Sequence, residues 1–131
     1  MAGKLLLDTN VVIALWERNS AIAKQIAKYD EVFVPSIAIG ELYFGAYRSG
    51  RIEDNLARVA AYCRSCVILA ADHATARIYG ELKSQLQMTG RPIPENDLWI
   101  AAIALQHRIP LATRDRHFEE IESLSGRLIK L

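Results

Sequence analysis

The chain has 131 residues, 51% of them hydrophobic and 24% charged, with a net charge of +1. That length suits one domain, residues 1–131, with its own core, and the near-neutral charge excludes a binder that works by bulk positive charge. No apolar run reaches the roughly 20 residues of a membrane span and no secretory leader pattern is evident, so a cytoplasmic protein with no membrane role is expected.

In chain order, "KLLL" (4–7) is too short and too uniformly apolar for a surface helix and reads as a buried strand. Residues 10–17 look helical, and "SAIAKQIAKY" (20–29) repeats Ile22, Ile26 and Tyr29 at helical spacing behind a Ser20 cap. "EVFVP" (31–35) is a second strand, after which Ser36 caps a helix over 37–48. A helix over 52–64 places Ile52, Leu56, Val59, Ala60 and Cys63 on one face, and "VILA" (67–70) is a third strand. Asp72 caps a helix running to about Met88, with Ala76, Tyr79, Leu82 and Leu86 inward. A loop holding Gly90, Pro92 and Pro94 leads to a helix over 96–107. "IPLAT" (109–113) and "RLIKL" (127–131) are the fourth and fifth strands, with a short helix over 116–122 between them. Strands alternating with helices predict an α/β fold of three layers, α/β/α, around a mostly parallel, roughly five-stranded sheet. Sites in such sheets form beyond the carboxyl ends of the strands.

Two other features are read as structural. Cys63 and Cys66 form one C-x-x-C with no second pair to complete a zinc site, and it ends a helix rather than opening one, so two half-buried thiols are expected. His73, His107 and His117 lack ligand spacing and are placed at the surface. Of the 16 basic residues 11 are arginine, and Arg48, Arg51, Arg58 and Arg64 could make a local basic face or simply a solvated one.

Most of the 15 acids fall in plainly solvated stretches, but four do not. Asp8 ends the first strand. Glu41 is the only charged residue from Phe33 through Tyr47, on a helix apolar nearly all round and therefore expected to be substantially buried. Asp97 opens "DLWIAAIALQ" in line with Ile100, Ala101 and Ala104, at a helix N-terminus where the dipole favours an anion. Asp115 follows the fourth strand. Singly, Asp8 could bond its own following turn, and Asp115 could cap a helix. Together they can converge at one end of the sheet. No lysine or arginine adjoins Asp8, Glu41 or Asp97 in sequence, so the partner that offsets their repulsion is expected to be a hard divalent cation, Mg²⁺ or Mn²⁺.

"LLLDTNVVIAL", "PSIAIGELYFG" and "IPENDLWIAAIALQHRIPLATRDRHF" resemble, in order, spacing and flanking residues, the successive motifs of PIN domains, specifically of the VapC-type toxin ribonucleases. The resemblance spans essentially the whole chain and implies a Mg²⁺- or Mn²⁺-dependent endoribonuclease, the toxin of a toxin–antitoxin pair. It implies a homodimer, an RNA substrate of the tRNA or rRNA class, and a VapB-type antitoxin laying a C-terminal segment across the site. On this reading Asp8 and Asp97 are the principal metal ligands, with Glu41 and Asp115 completing the acidic shell. Asn10 and Thr113 hydrogen-bond a carboxylate or a bound water, and Arg114 and Arg116 are candidates for phosphate contact. Two alternatives stand beside it: a catalytically weak RNA-binding or regulatory module of the same fold, and an aspartate-based phosphotransferase. The second lacks the acid expected two residues after the nucleophile, where this chain has Asn10.

Overall fold

Leu5, Leu6 and Leu7 are at most 1% exposed because their strand has neighbours on both edges and helices on both faces. In the computed structural model, which describes residues 2–131, this strand β1 (Ala2–Leu7) is the centre of a five-stranded sheet. The others are β2 (Tyr29–Pro35), β3 (Val67–Leu69), β4 (Leu111–Thr113) and β5 (Leu128–Lys130), in spatial order β3-β2-β1-β4-β5, and every pairing is parallel. Leu6 pairs with Phe33 on one side and Leu111 on the other, and Leu7 pairs with Ala112.

Six helices join them: α1 (Thr9–Trp16), α2 (Ser20–Ile26), α3 (Ser36–Tyr47), α4 (Ile52–Ser65), α5 (His73–Met88) and α6 (Glu95–His107). Alternation along β1 divides the core in two. Leu6, Phe33 and Leu111 face α5 and α6, whereas Leu5, Leu7, Val34 and Ala112 face α1 through α4. The expected three layers follow.

The local corrections have simple causes. Asn19, not Ser20, caps α2 by accepting from the Ile22 N–H at 3.1 Å; Tyr29 belongs to β2 rather than to that helix. Pro35 holds the N-cap position of α3 with no side-chain hydrogen bond, leaving Ser36 as its first residue. The Asp72 cap is as expected, and it forms a capping box with Thr75. That box turns Thr75 inward, fully buried, and leaves Ala76 outside. Ile52 lies on the exposed side of its helix. The helix expected over 116–122 is two short 3₁₀ turns, Arg116–Glu120 and Glu122–Leu124, pinned by the buried Phe118 and Leu124. The apolar α3 is only half covered: Ala38, Ile39, Leu42 and Ala46 are buried, while Phe44 and Tyr47 stand more than 60% exposed. Cys63 and Cys66 are half-buried free thiols at the end of α4. Arg48, Arg51, Arg58 and Arg64 are all exposed, with Arg51 paired to Asp54 at 2.6 Å. Among the described residues no helix is long and apolar enough to cross a membrane.

Candidate active site

From β1 the chain builds outward through β2 to β3, then crosses back to place β4 and β5 on the other side. The carboxyl ends of β1 and β4 therefore flank the switch point of the sheet, where helices diverge and a crevice opens. Asp8 leaves β1 there, only 4% exposed. One Asp8 oxygen accepts from the Thr9 N–H at 2.8 Å and the other from the Thr113 hydroxyl at 2.7 Å. Thr113 Oγ1 in turn accepts the Asp115 N–H at 2.9 Å, so one buried hydroxyl links the tips of the two strands. Burial pushes the Asp8 carboxyl up to about 6; the Thr113 and Thr9 hydrogen bonds pull it back, and the charges of Asp97 and Glu41 add to the rise.

Glu41 reaches the site from α3. Its two oxygens accept from the Thr9 hydroxyl at 2.5 Å and from the Asn96 side-chain amide at 3.3 Å. Asp97, in the first turn of α6, is 9% exposed and points with the core residues Ile100, Ala101 and Ala104, as the sequence predicts. Its pKa is raised, first by burial and then by Asp115 and Glu41, while a hydrogen bond with His117 opposes the rise. Asp115 caps the first 3₁₀ turn by accepting the His117 N–H at 2.9 Å. That turn brings the His117 ring round so that Nδ1 lies 3.1 Å from Asp97 Oδ2 and 3.0 Å from Asp115 Oδ1. The two carboxylates hold the His117 pKa above its ordinary value, the Asp97 hydrogen bond foremost.

The four acids singled out in the sequence thus meet in one crevice. A cleft of about 440 Å³ is lined by Glu41, Pro94, Glu95, Asn96, Asp97, Asp115 and His117, and the buried Asp8 lies close enough for the charges of Asp97 and Glu41 to act on it. A larger concavity of about 680 Å³ lies by Arg91 and Lys130, which pair with Glu120 and Glu119.

Among the described residues none of the four carboxylates has a lysine or arginine within ion-pair distance. Ligand atoms of Asp97, Asp115 and His117 lie within 4.8 Å of one another, a spacing and donor set that fit a divalent cation. Asp8 and Glu41 adjoin this group and are held in place by Thr113, Thr9 and Asn96.

One expectation needs correction. His117 lies at the surface as expected, about half exposed, but its ring also has ligand spacing to two acids of the cluster. Asn10 has a backbone partner here: its side-chain oxygen accepts the Arg114 N–H at 3.1 Å and braces the turn after β4. Thr113 does bond a carboxylate, as expected. Thr9, Asn96 and His117 escape the sequence reading, although each lies within two residues of an acid that it did single out. Arg114 and Arg116, on either side of Asp115 in the chain, are exposed.

Residues 5–124 match the PIN domain family. A protein named Ribonuclease VapC2 from Haemophilus influenzae is 32% identical over 124 residues, covering 92% of this chain and 94% of the relative. The tRNA(fMet)-specific endonuclease VapC of Shigella flexneri is 28% identical over 124 residues, covering 92% of this chain and 94% of its own. A crystal structure of DNA-bound VapBC from Salmonella typhimurium superposes with a TM-score of 0.87 at 27% identity, covering 99% of this chain and 98% of that one.

Proposed function

Because the chain belongs to the PIN-domain family, on its VapC ribonuclease branch, we propose that it is a metal-dependent endoribonuclease, the toxin of a type II toxin–antitoxin pair. The convergence of Asp8, Glu41, Asp97 and Asp115 with no lysine or arginine partner among the described residues carries this reading.

Asp8 and Asp97 are assigned as the principal ligands of Mg²⁺ or Mn²⁺, with Glu41 and Asp115 completing the shell. A divalent ion held there supplies positive charge to the scissile phosphate and lowers the pKa of an attacking water. Every other part of the chemistry is positioning by this chain's own side chains. Thr113 fixes the Asp8 carboxylate against the strand tip. Thr9 and Asn96 hold Glu41 over the cleft from two different helices. Arg114 and Arg116, exposed beside Asp115, take the flanking phosphates.

The substrate is RNA, recognised through single-stranded or loop nucleotides, with tRNA and rRNA as the candidate classes. A VapB-type antitoxin closes the cleft with its C-terminal segment. Residues 1–131 act as one domain in the cytoplasm, and the exposed Phe44 and Tyr47 supply apolar area for a homodimer. A phosphotransferase with Asp8 as nucleophile is disfavoured because Asn10 stands where that chemistry wants a second acid.

The test is RNA cleavage by the purified chain with Mg²⁺, with Mn²⁺ and with chelator, comparing wild type with Asp97→Asn. Metal-dependent cleavage that the substitution abolishes is expected. Cleavage undiminished in chelator would overturn the metal dependence, and none under any condition would leave the weak RNA-binding module.

A further inference from the structure

We infer that His117 is a nitrogen ligand of the divalent ion, an inference that rests on the metal-dependent reading above and extends it beyond the four carboxylates. The ring is not a bystander. Its Nδ1 lies 3.1 Å from Asp97 Oδ2 and 3.0 Å from Asp115 Oδ1. Adjacent ligands of an octahedral ion with bonds of about 2.1 Å lie about 3.0 Å apart, so these two distances match two edges of one coordination octahedron. Without an ion the same distances serve as hydrogen bonds, with one Nδ1–H shared between two carboxylates. With an ion, Nδ1 presents its lone pair and the ring keeps its proton on Nε2.

The placement is built into the backbone. The Asp115 side chain accepts the His117 N–H at 2.9 Å, and the next residue, Phe118, is fully buried in the core. These two anchors fix the start of the turn, so the ring is delivered to the acids rather than swept past them. His73 and His107, by contrast, stand outside the cluster.

A nitrogen donor changes which ion is preferred. Imidazole adds affinity for first-row transition ions, whereas Mg²⁺ favours oxygen and keeps its waters. His117 therefore selects Mn²⁺ over Mg²⁺ at a site that carboxylates alone would leave less selective.

Mn²⁺ titration of the full chain followed by electron paramagnetic resonance, with Mg²⁺ as competitor, tests this without an activity assay. Pulsed measurement on bound Mn²⁺ is expected to show nitrogen modulation that changes when the histidines are ¹⁵N-labelled. His117→Ala and His117→Phe are expected to lose the modulation and about tenfold or more in Mn²⁺ affinity, with a smaller change for Mg²⁺. His73→Ala and His107→Ala are expected to keep both. Mn²⁺ bound by wild type with no histidine modulation would overturn the inference and leave the ribonuclease reading intact. No Mn²⁺ or Mg²⁺ bound by wild type would overturn the metal-dependent reading itself. The wild-type spectrum decides even if a variant fails to fold.

Discussion

Replacing Asp8 by Asn in metal-free protein should make the fold more stable at neutral pH, while removing activity. The carboxyl is buried, and its folded pKa of about 6 stands above the ordinary value of 3.8. For a group raised on folding, the favourable contribution is complete below the unfolded pKa and is lost as pH rises through the folded one. The window is therefore pH 4 to 6, and above it the ionised carboxylate costs the fold roughly 3 kcal/mol, two pKa units at about 1.4 each. Asparagine keeps the shape and the N-cap acceptor without the charge. In chelator, wild type and Asp8→Asn should have similar stability near pH 4 and diverge above it. By pH 7.5 the variant should lead by about 3 kcal/mol, or roughly 10 °C in Tm. Urea and thermal denaturation across that range measure it. Adding Mn²⁺ should then raise wild type and leave Asp8→Asn nearly unmoved. A wild type at least as stable as the variant at pH 7.5 without metal would refute the claim that Asp8 is an uncompensated buried charge.

The other expectations are more local. Asp97→Asn should reduce metal-dependent RNA cleavage by at least about 10²-fold, since several kcal/mol of transition-state stabilisation depend on a correctly held ion. Thr113→Val should cost about 1–3 kcal/mol in urea unfolding, because the Asp115 N–H and an Asp8 oxygen lose their shared partner. It should also move the Asp8 titration further up, read by carboxyl NMR. Thr9→Val and Asn96→Ala free one oxygen of Glu41 each; cleavage should fall while stability changes by no more than about 1.5 kcal/mol. Thr75→Ala removes half of a capping box and the hydroxyl bonded to Gln106, and should lower stability by about 1–2 kcal/mol in thermal melts with cleavage retained.

Much of this architecture can be read from the residues alone. A carboxylate inside an apolar run is conspicuous, which is why Asp8, Glu41 and Asp97 stand out and why their convergence can be anticipated from strand ends. His117 gives no such signal. Its ligand geometry depends on a tight 3₁₀ turn after Asp115, and the sequence there reads equally well as an ordinary helix. Thr9 and Asn96 look like helix-start residues because threonine and asparagine serve that purpose so often. Ser20 and Asn19 are both competent caps one position apart, and only tertiary docking chooses between them. Phe44 and Tyr47 show the reverse limit: composition marks α3 as apolar without saying which face lacks a neighbour within its own chain.

The hydroxyl of Thr113 spans 105 positions of sequence to reach Asp8. During synthesis the chain emerges from its N-terminus, so β1 and β2 can pair long before β4 exists. Until residues 111–117 dock, Asp8 has no hydroxyl partner, Asp97 has no imidazole, and the crevice has only one wall. A nascent chain therefore carries its acids long before it carries the hydroxyl and the ring that hold two of them. The site is whole only once β4 and the turn after it have docked beside β1.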